Sequence, residues 1–477
     1  MKVAVPPPDW MKTLSDPDSW GKIVSAGLRP MVGDRYPHWD TLRHLPVPTG
    51  LTLEEWWAGI RLARLGASRP LPLLATNGDA FSFMLPDPAL EMLHLIDQRA
   101  SGEIAISELV TNPQSRRRYM VSSLIEEAIT SSQLEGASTT RQVAKEMLKS
   151  GRHPRNKSEQ MILNNYTAMT EVRQWVGKPL TPELVARLQC LVTERTLDDD
   201  GEAGRLQQVG DVRVEVVDTG DNTVLHRPPP AEELEGRLAE MCRFANGEGT
   251  EGFLHPVVRA ILLHLWLAYD HPFADGNGRT ARALFYWSML SHGYWLTEYL
   301  SISRILKQAP AQYARSFLYT ETDGNDATYF ILYQLGVVLR AIDELHEYLQ
   351  RKMQEVRQAD ALLRTADLNY RQTALLSHAL RHPDAEYTFR SHMTSHRIVY
   401  ESARTDLLDL AQRGFLVQRK LGRAFVFRPA LDLSDRLGDR TSEPVATEQS
   451  LGDGLPQVAQ ESPQVAVTTR PAGTRPE

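Results

Sequence analysis

Residues 271–282 read His-Pro-Phe-Ala-Asp-Gly-Asn-Gly-Arg-Thr-Ala-Arg, and this stretch indicates more about fold and chemistry than any other. Gly276 and Gly278 predict a turn whose backbone can approach a ligand closely, because glycine has no side chain to obstruct it. The residues that follow, RTARALFYWSMLSHG, predict a helix. Backbone N–H groups at a helix N-terminus attract anions. The sequence therefore predicts an anion-binding turn that leads into a helix.

Four charged or titratable side chains accompany this turn. Arg279 and Arg282 are spaced to lie on one helical face, where two guanidinium groups suit a polyphosphate. Asp275 could hold Mg²⁺ against the same phosphates, and His271 could remove a proton from an attacking hydroxyl. Each feature alone is common in ordinary turns, solvated helix faces and structural histidines. Their occurrence together in one short stretch favours a catalytic site.

The composition of the chain excludes several classes of protein. Its 477 residues suggest about three domains at ~150 residues each, and 53 Lys and Arg against 60 Asp and Glu give a net charge of −7. That balance argues against a wholly basic nucleic-acid coat. Two cysteines, Cys190 and Cys242, argue against a disulfide scaffold or a cysteine-built zinc site and fit a reducing cytoplasm.

A membrane span and a secretion signal are also not expected. The strongly apolar run 260–269 is ten residues long, whereas about 20 are needed to cross a bilayer. Pro6 to Pro8 interrupt the N-terminus before an apolar signal core could form. We therefore expect a cytoplasmic chain without a membrane anchor.

Helical periodicity dominates the chain, so we predict a mostly α protein. Its predicted parts are an N-terminal module at 1–110, a helical region at 116–150, a helical core at 151–350, a winged helix-turn-helix at 369–430 and a disordered tail at 435–477. Residues 369–430 contain ten Lys and Arg against five Asp and Glu. That local excess of positive charge keeps DNA binding open, although winged helices also serve as protein-docking modules.

One β-hairpin is predicted among the helices, at residues 209–230. The alternating run VRVEVV, the turn DTGDN and the run TVLH form it, and Pro228 to Pro230 end it. An isolated hairpin has one exposed edge on each strand. It is either a surface loop without a binding function or a strand pair that binds an extended peptide.

Residues 271–282 resemble the signature of the Fic family, His-x-Phe-x-Asp/Glu-Gly-Asn-Gly-Arg-x-x-Arg, with no departure at a fixed position. The preceding LHPVVRAILLHLWLAYD resembles the family's helix before that motif. The hairpin with its proline run resembles the family's target-binding flap. The resemblance covers about 120–350 and, more loosely, the winged helix, whereas residues 1–110 resemble no family that we can place.

The resemblance implies a protein adenylyltransferase, which transfers AMP from ATP to a Ser, Thr or Tyr hydroxyl of a target protein or of itself. His271 would be the general base, and Asp275 would bind Mg²⁺. The intact Gly-Asn-Gly core favours AMP over other groups. The other implied contacts are Gly276, Asn277 and Gly278 with the α-phosphate, Arg279 and Arg282 with the outer phosphates, Tyr313 with adenosine, and Val224, Leu225 and His226 with the target.

A second motif, Ser131-Ser-Gln-Leu-Glu135-Gly136, resembles the family's inhibitory helix, Ser/Thr-x-x-x-Glu-Gly/Asn. The resemblance implies that Glu135 pairs with Arg282 and takes the place of the γ-phosphate. The family often has Asn after Glu-Gly, whereas this chain has Ala137. The alternative is that Glu135 is a solvated residue at a helix end.

Two other functions remain open from the sequence. The same site could remove AMP from its target, with Glu135 positioning a water molecule. Alternatively, the winged helix could bind duplex DNA while the Fic core senses nucleotide. The expected partners are ATP, Mg²⁺, a target protein with an exposed hydroxyl, and either DNA or protein at 369–430. A homodimer is compatible with the sequence.

Overall fold

The computed structural model describes residues 4–100, 113–217, 224–365, 367–382, 384–421, 424–438 and 469–471. Most of these residues are helical, and the strands form three small sheets, which confirms the predicted mostly α class. The described residues up to 345, together with 469–471, form one compact unit, and those from 346 to 438 form a second.

The N-terminal region combines short helices with one hairpin. Its aromatic core includes Trp56 and Trp57, which are both buried. The elements are α1 (Trp10–Leu14), α2 (Pro17–Ala26), α3 (Trp39–Leu42), α4 (Leu53–Leu65), β1 (Arg69–Leu74), β2 (Ala80–Phe83) and α5 (Asp87–Ala100).

Buried ion pairs join this region to the helices that follow it. The guanidinium groups of Arg61 and Arg64 lie 3.1 and 3.5 Å from the carboxylate of Asp323. Arg64 also donates a hydrogen bond of 2.6 Å to the hydroxyl of Tyr329. Buried charges need such partners, because an unpaired charge in the interior is strongly unfavourable. The N-terminal region is therefore part of the first compact unit.

The remaining helices of the first unit pack around two buried central ones. The apolar run 260–269 lies in the first of these, and no helix of the described residues is long and apolar enough to cross a membrane. The central pair is α11 (Pro256–Asp270) and α12 (Asn277–Ser291), and around it lie α6 (Pro113–Leu134), α7 (Arg141–Ser150), α8 (Lys157–Gln174), α9 (Pro182–Thr193), α10 (Leu234–Ala245), α13 (Ile302–Gln308), α14 (Pro310–Thr322) and the start of α15 (Thr328–Thr365).

The hairpin predicted at 209–230 is present as β3 (Val214–Val217) and β4 (Val224–His226), and its turn lies outside the described residues. A third strand, β7 (Thr469–Pro471), pairs antiparallel with the other side of β3. The expectation of an exposed edge on each hairpin strand is therefore wrong for β3. Val216 faces His226 on one side and Thr469 on the other.

The second unit has the order of elements predicted for a winged helix-turn-helix. Its core includes Leu376, Leu407, Leu410 and Phe427. The elements that follow the end of α15 are α16 (Tyr370–Arg381), α17 (Phe389–His396), α18 (Tyr400–Gln412), β5 (Leu416–Leu421), β6 (Ala424–Pro429) and α19 (Leu433–Gly438).

The tail expected to be disordered from 435 onward is described only in part. Helix α19 extends through Gly438, and β7 adds three paired residues near the C-terminus. At these two places the expectation of disorder is wrong, because α19 packs Leu433 and Leu437 into the core and β7 pairs with β3. The rest of that prediction, at 439–468 and 472–477, lies outside the described residues.

Candidate active site

A tight loop joins α11 to α12 and contains the predicted motif. His271 ends α11 in the left-handed backbone conformation, with φ 44° and ψ 53°. Gly276 also has a positive φ, 83°, and a Cβ atom added there would lie 2.7 Å from Cγ2 of Thr193. Only glycine satisfies both the conformation and the space at this position.

Asn277 holds the loop closed through its side-chain amide. The backbone N–H of Phe273 donates to its Oδ1 at 3.0 Å, and its Nδ2 donates to the carbonyl of Phe273 at 2.8 Å. These bonds shape the turn that presents backbone N–H groups at the start of α12. The side chain of Asn277 thus positions the loop, and its contact with the α-phosphate stays a prediction.

Arg279 is fully buried and braces the same loop. Its Nη1 donates to the carbonyl of Val192 at 2.5 Å, and its Nη2 lies 3.3 Å from Oδ2 of Asp275. Gln189 adds a hydrogen bond of 2.9 Å to the backbone carbonyl of Asp275. Arg279 was expected at the outer phosphates, but its contacts in the structure are with the protein. A phosphate contact of Arg279 stays untested.

Asp275 is the metal ligand that the sequence predicts. Its side chain is 42% exposed, and a carboxylate oxygen is the kind of ligand that Mg²⁺ prefers. The described residues contain no cluster of three or more side chains that could hold a metal ion. Mg²⁺ commonly binds one carboxylate and takes its other ligands from substrate phosphates and water. A single exposed carboxylate beside an anion-binding turn fits that pattern.

Burial, together with the nearby charges of His226 and Arg213, lowers the pKa of His271 to about 3. A pKa in that range corresponds to a neutral imidazole at physiological pH. A neutral imidazole keeps a lone pair that can accept a proton. The ring therefore has the protonation state that a general base requires.

Two side chains of the hairpin region form hydrogen bonds with the backbone directly before and at His271. Arg213, next to β3, donates to the carbonyls of Asp270 and His271 at 2.9 and 3.2 Å. On β4, His226 is buried with Nε2 2.7 Å from the carbonyl of Tyr269 and Nδ1 2.8 Å from Glu321. The side chain of His226 therefore fastens the hairpin. Val224 and Leu225 beside it are only partly buried.

Arg282 pairs with the residue that the second motif predicts. Its Nη2 lies 2.8 Å from Oε1 of Glu135, while its Nε and Nη2 donate to the hydroxyl and carbonyl of Ser131 at 2.8 and 3.0 Å. The side chain of Arg282 is 2% exposed and that of Glu135 is 29% exposed. A Cβ atom added to Gly278 would lie 2.2 Å from Oε1 of Glu135. The carboxylate therefore sits directly against the glycine turn.

Glu127 is a residue of this site that the sequence did not indicate. It is buried and accepts hydrogen bonds from the hydroxyl of Ser301 at 2.9 Å, the backbone N–H of Ser303 at 3.1 Å and the hydroxyl of Ser303. Burial raises its pKa. Glu127 and Ser131 lie four residues apart on one face of α6, and Glu135 continues that spacing directly after the helix ends at Leu134. That spacing was a signal in the sequence for three neighbouring contacts.

Tyr313 lies near Arg282. Its hydroxyl is 2.8 Å from Nε2 of His264, and its ring stacks on that of Tyr333 with 6.3 Å between centroids. Burial lowers the pKa of His264 to about 3. Contact of Tyr313 with adenosine stays a prediction.

Parts of this chain are similar to known proteins. Residues 179–289 match the model of the Fic/DOC family. The chain is 31% identical over 134 residues to a uridine 5'-monophosphate transferase of Xanthomonas campestris pv. campestris (strain 8004), covering 27% of this chain and 24% of that protein. It is 46% identical over 59 residues to protein adenylyltransferase Fic of Nematostella vectensis, covering 12% of this chain and 14% of that protein.

The fold is shared with a Fic family protein from Desulfovibrio desulfuricans G20. The TM-score is 0.51 at 17% sequence identity, over 73% of this chain and 97% of that one. By contrast, the chain spans about a quarter or less of the length of the two curated relatives. The chain contains a Fic-family domain, which confirms the predicted resemblance.

Proposed function

We propose that this chain transfers AMP from ATP to a hydroxyl of a target protein, and that Glu135 restrains the transfer. The observation that carries this proposal is the ion pair of Glu135 and Arg282 against the glycine turn. The neutral imidazole of His271 adds a base in the same loop. Relatives named protein adenylyltransferase support the reaction class.

In the proposed reaction the target hydroxyl oxygen forms a bond to the α-phosphorus, and the bond from that phosphorus to the leaving pyrophosphate breaks. The hydroxyl proton passes to His271. Backbone N–H groups at the start of α12 stabilise the charge on the α-phosphate. Asp275 would hold Mg²⁺, which supplies neutralisation of the phosphate charge. Catalysis then depends mainly on positioning and electrostatic stabilisation, as in other phosphoryl-transfer enzymes.

Glu135 opposes this arrangement through its charge and its position. Its carboxylate neutralises Arg282, which is the cation expected to receive an outer phosphate. It also places a negative charge where a second negative group would lie, and like charges at short range repel. ATP would bind with its outer phosphates displaced, so the α-phosphate would not align with the attacking hydroxyl.

Labelling with two nucleotides tests the proposed reaction. The full chain is incubated with Mg²⁺, a lysate and either ATP or UTP, and modified proteins are identified by mass spectrometry. We expect protein-linked AMP from ATP. UTP is included because one relative is named a uridine 5'-monophosphate transferase. If only UMP is found linked to protein, the transferred group in the proposal becomes UMP. If the Glu135→Gly variant transfers neither AMP nor UMP, the proposed reaction is refuted.

Removal of AMP is a second candidate, favoured by one observation. Glu135 is 29% exposed although it is paired, so a water molecule can reach its carboxylate beside the turn. A target carrying AMP, incubated with the chain without nucleotide, would release AMP if this reaction occurs. Glu135→Gln should abolish the release, because the amide cannot accept a proton from water.

Shortening the hairpin between Val216 and Val224 should impair target modification more than ATP binding. The hairpin is fastened beside His271 through Arg213 and His226, and its outer strand β4 offers a backbone edge to an extended target. Measuring ATP affinity and target modification on the same variant separates the two effects. Normal modification of a protein target by the shortened variant would contradict a target-binding role.

Glu127→Ala should loosen α6 and raise the basal transfer rate, though less than removal of Glu135. The change leaves the donors of Ser301 and Ser303 without their acceptor, at a cost of about 1–3 kcal/mol. Glu126→Ala is the matched control, because Glu126 is also on α6 but pairs with Arg141 and Lys145. Transfer rate and thermal stability are measured together. Lower stability with an unchanged rate would mean that Glu127 has only a structural role.

A further inference from the structure

In the second unit, three elements converge around the ring of Phe389 at the start of α17. This ring lies 5.7 Å from that of Tyr400 at the start of α18 and 6.3 Å from that of Phe425 on β6. Phe425 is the cross-strand partner of Lys420 on β5. The starts of both helices and the hairpin therefore meet at one place, as in a winged helix-turn-helix.

The outward face of α18 is mostly polar. Its buried side carries Ala403, Leu407 and Leu410. Its outward stripe repeats at helical spacing and consists of Glu401, Arg404, Thr405, the partly buried Leu408 and Gln412. Arginine, threonine and glutamine side chains form hydrogen bonds with base edges in the major groove. An apolar docking groove would require an apolar stripe instead.

The carboxylates of α18 are already neutralised by arginines. Asp406 lies 2.7 Å from Arg371, and Glu401 lies 3.1 Å from Arg404. Asp409 makes a third pair, at 3.7 Å from Arg413. The acidic groups of this helix therefore do not oppose the approach of a polyanion as strongly as their number suggests.

Four exposed cations on the elements next to α18 have no carboxylate partner among the described residues of this unit. Arg390 is the second residue of α17, and Arg397 lies in the turn between α17 and α18. Arg419 and Lys420 are neighbours on β5. Unpaired cations on the elements next to a polar helix suit the repeated phosphates of a duplex, which run along both sides of its groove.

We infer that residues 370–429 bind duplex DNA, with α18 in the major groove and with Arg390, Arg397, Arg419 and Lys420 at phosphates. This activity is independent of the proposed AMP transfer. Exposed Val399 and Tyr400 at the start of α18 add apolar surface of the kind that contacts the methyl group of thymine. DNA is favoured over a protein partner because the outward stripe is polar and its flanking cations are unpaired.

The test uses the full chain and a fluorescent duplex of about 30 base pairs, titrated over a range of salt concentrations. We expect binding whose logarithmic affinity falls linearly with the logarithm of salt concentration. The variant Arg390→Ala/Arg397→Ala/Lys420→Ala should reduce that slope by about one unit for each lost phosphate contact. The matched control, Arg413→Ala/Arg428→Ala/Arg436→Ala, removes the same charge from arginines that pair with carboxylates. It should change the slope much less.

Two results would overturn the inference. One is the absence of duplex binding at low salt, and the other is equal loss in the variant and its control, which indicates diffuse attraction only. Either result would favour a protein partner at this surface instead of DNA. Thermal unfolding checks that each variant folds. If the triple variant does not fold, the single exposed change Lys420→Glu replaces it and should also weaken binding and lower the slope.

Discussion

Replacing Glu135 by glycine is expected to raise the rate of AMP transfer by the full chain, including transfer to itself. The carboxylate pairs with Arg282 at 2.8 Å and lies against Gly278, so its removal frees both the cation and the space beside the turn. The outer phosphates can then bind Arg282 while the α-phosphate aligns with the hydroxyl. We expect at least a tenfold rise, which corresponds to about 1.4 kcal/mol in the barrier. Initial rates with labelled ATP measure it.

Two further variants control this experiment. Glu135→Gly combined with Arg282→Ala should lose the gain, because the freed cation is gone. Glu194→Gly removes an exposed glutamate at the end of α9 and should leave the rate unchanged. Thermal stability should fall somewhat in Glu135→Gly, since a buried cation loses its partner. A rate within about twofold of wild type, below 1 kcal/mol, would mean that Glu135 is merely a helix-end residue.

His271→Ala should reduce AMP transfer by about 10²–10⁴-fold while ATP affinity largely persists. The imidazole is neutral because burial lowers its pKa to about 3, so it can accept the hydroxyl proton in the chemical step. We expect nucleotide affinity to depend instead on the turn and on Arg282. The comparison is best made in the Glu135→Gly background, where the rate is highest. Transfer and ATP affinity are both measured.

His292→Ala serves as the matched control for this loss. His292 is exposed and caps the other end of α12, so its removal tests whether any histidine change on this helix lowers the rate. We expect transfer close to that of the parent variant. Unchanged transfer in a folded His271→Ala variant would remove His271 from the chemistry and leave the turn as a binding site only.

The parts of the candidate site that lie within the two short sequence motifs were predictable. The glycine turn, the start of α12 and the pairing of Glu135 with Arg282 were all indicated by residue types and motif resemblance. Glu127 and Arg213 were not, because they act through hydrogen bonds to serines and backbone carbonyls that only the folded chain brings near. Arg213 carries no such signal in the sequence, and the signal for Glu127 is only its four-residue spacing from Ser131 and Glu135.

The fold was predictable to a similar extent. Helical periodicity and the motif resemblance located the helices around 256–291, and the pattern of residues 369–430 predicted the order of elements found there. The joining of residues 1–100 to the helical core was not expected. It depends on ion pairs of Arg61 and Arg64 with Asp323, which are more than 250 residues apart in sequence.

Strand β7 covers one side of the hairpin and has a consequence for solubility. A strand edge with unpaired N–H and C=O groups can pair with any other chain, and this is a common route to aggregation. Because Thr469–Pro471 pair with Val214–Val216, the β3 edge is protected by the chain's own C-terminal segment. The edges of this small sheet are then β4 and the three-residue β7, in which Pro471 has no N–H to donate. Loss of the last residues would expose the longer β3 edge and favour association of the hairpins of two copies.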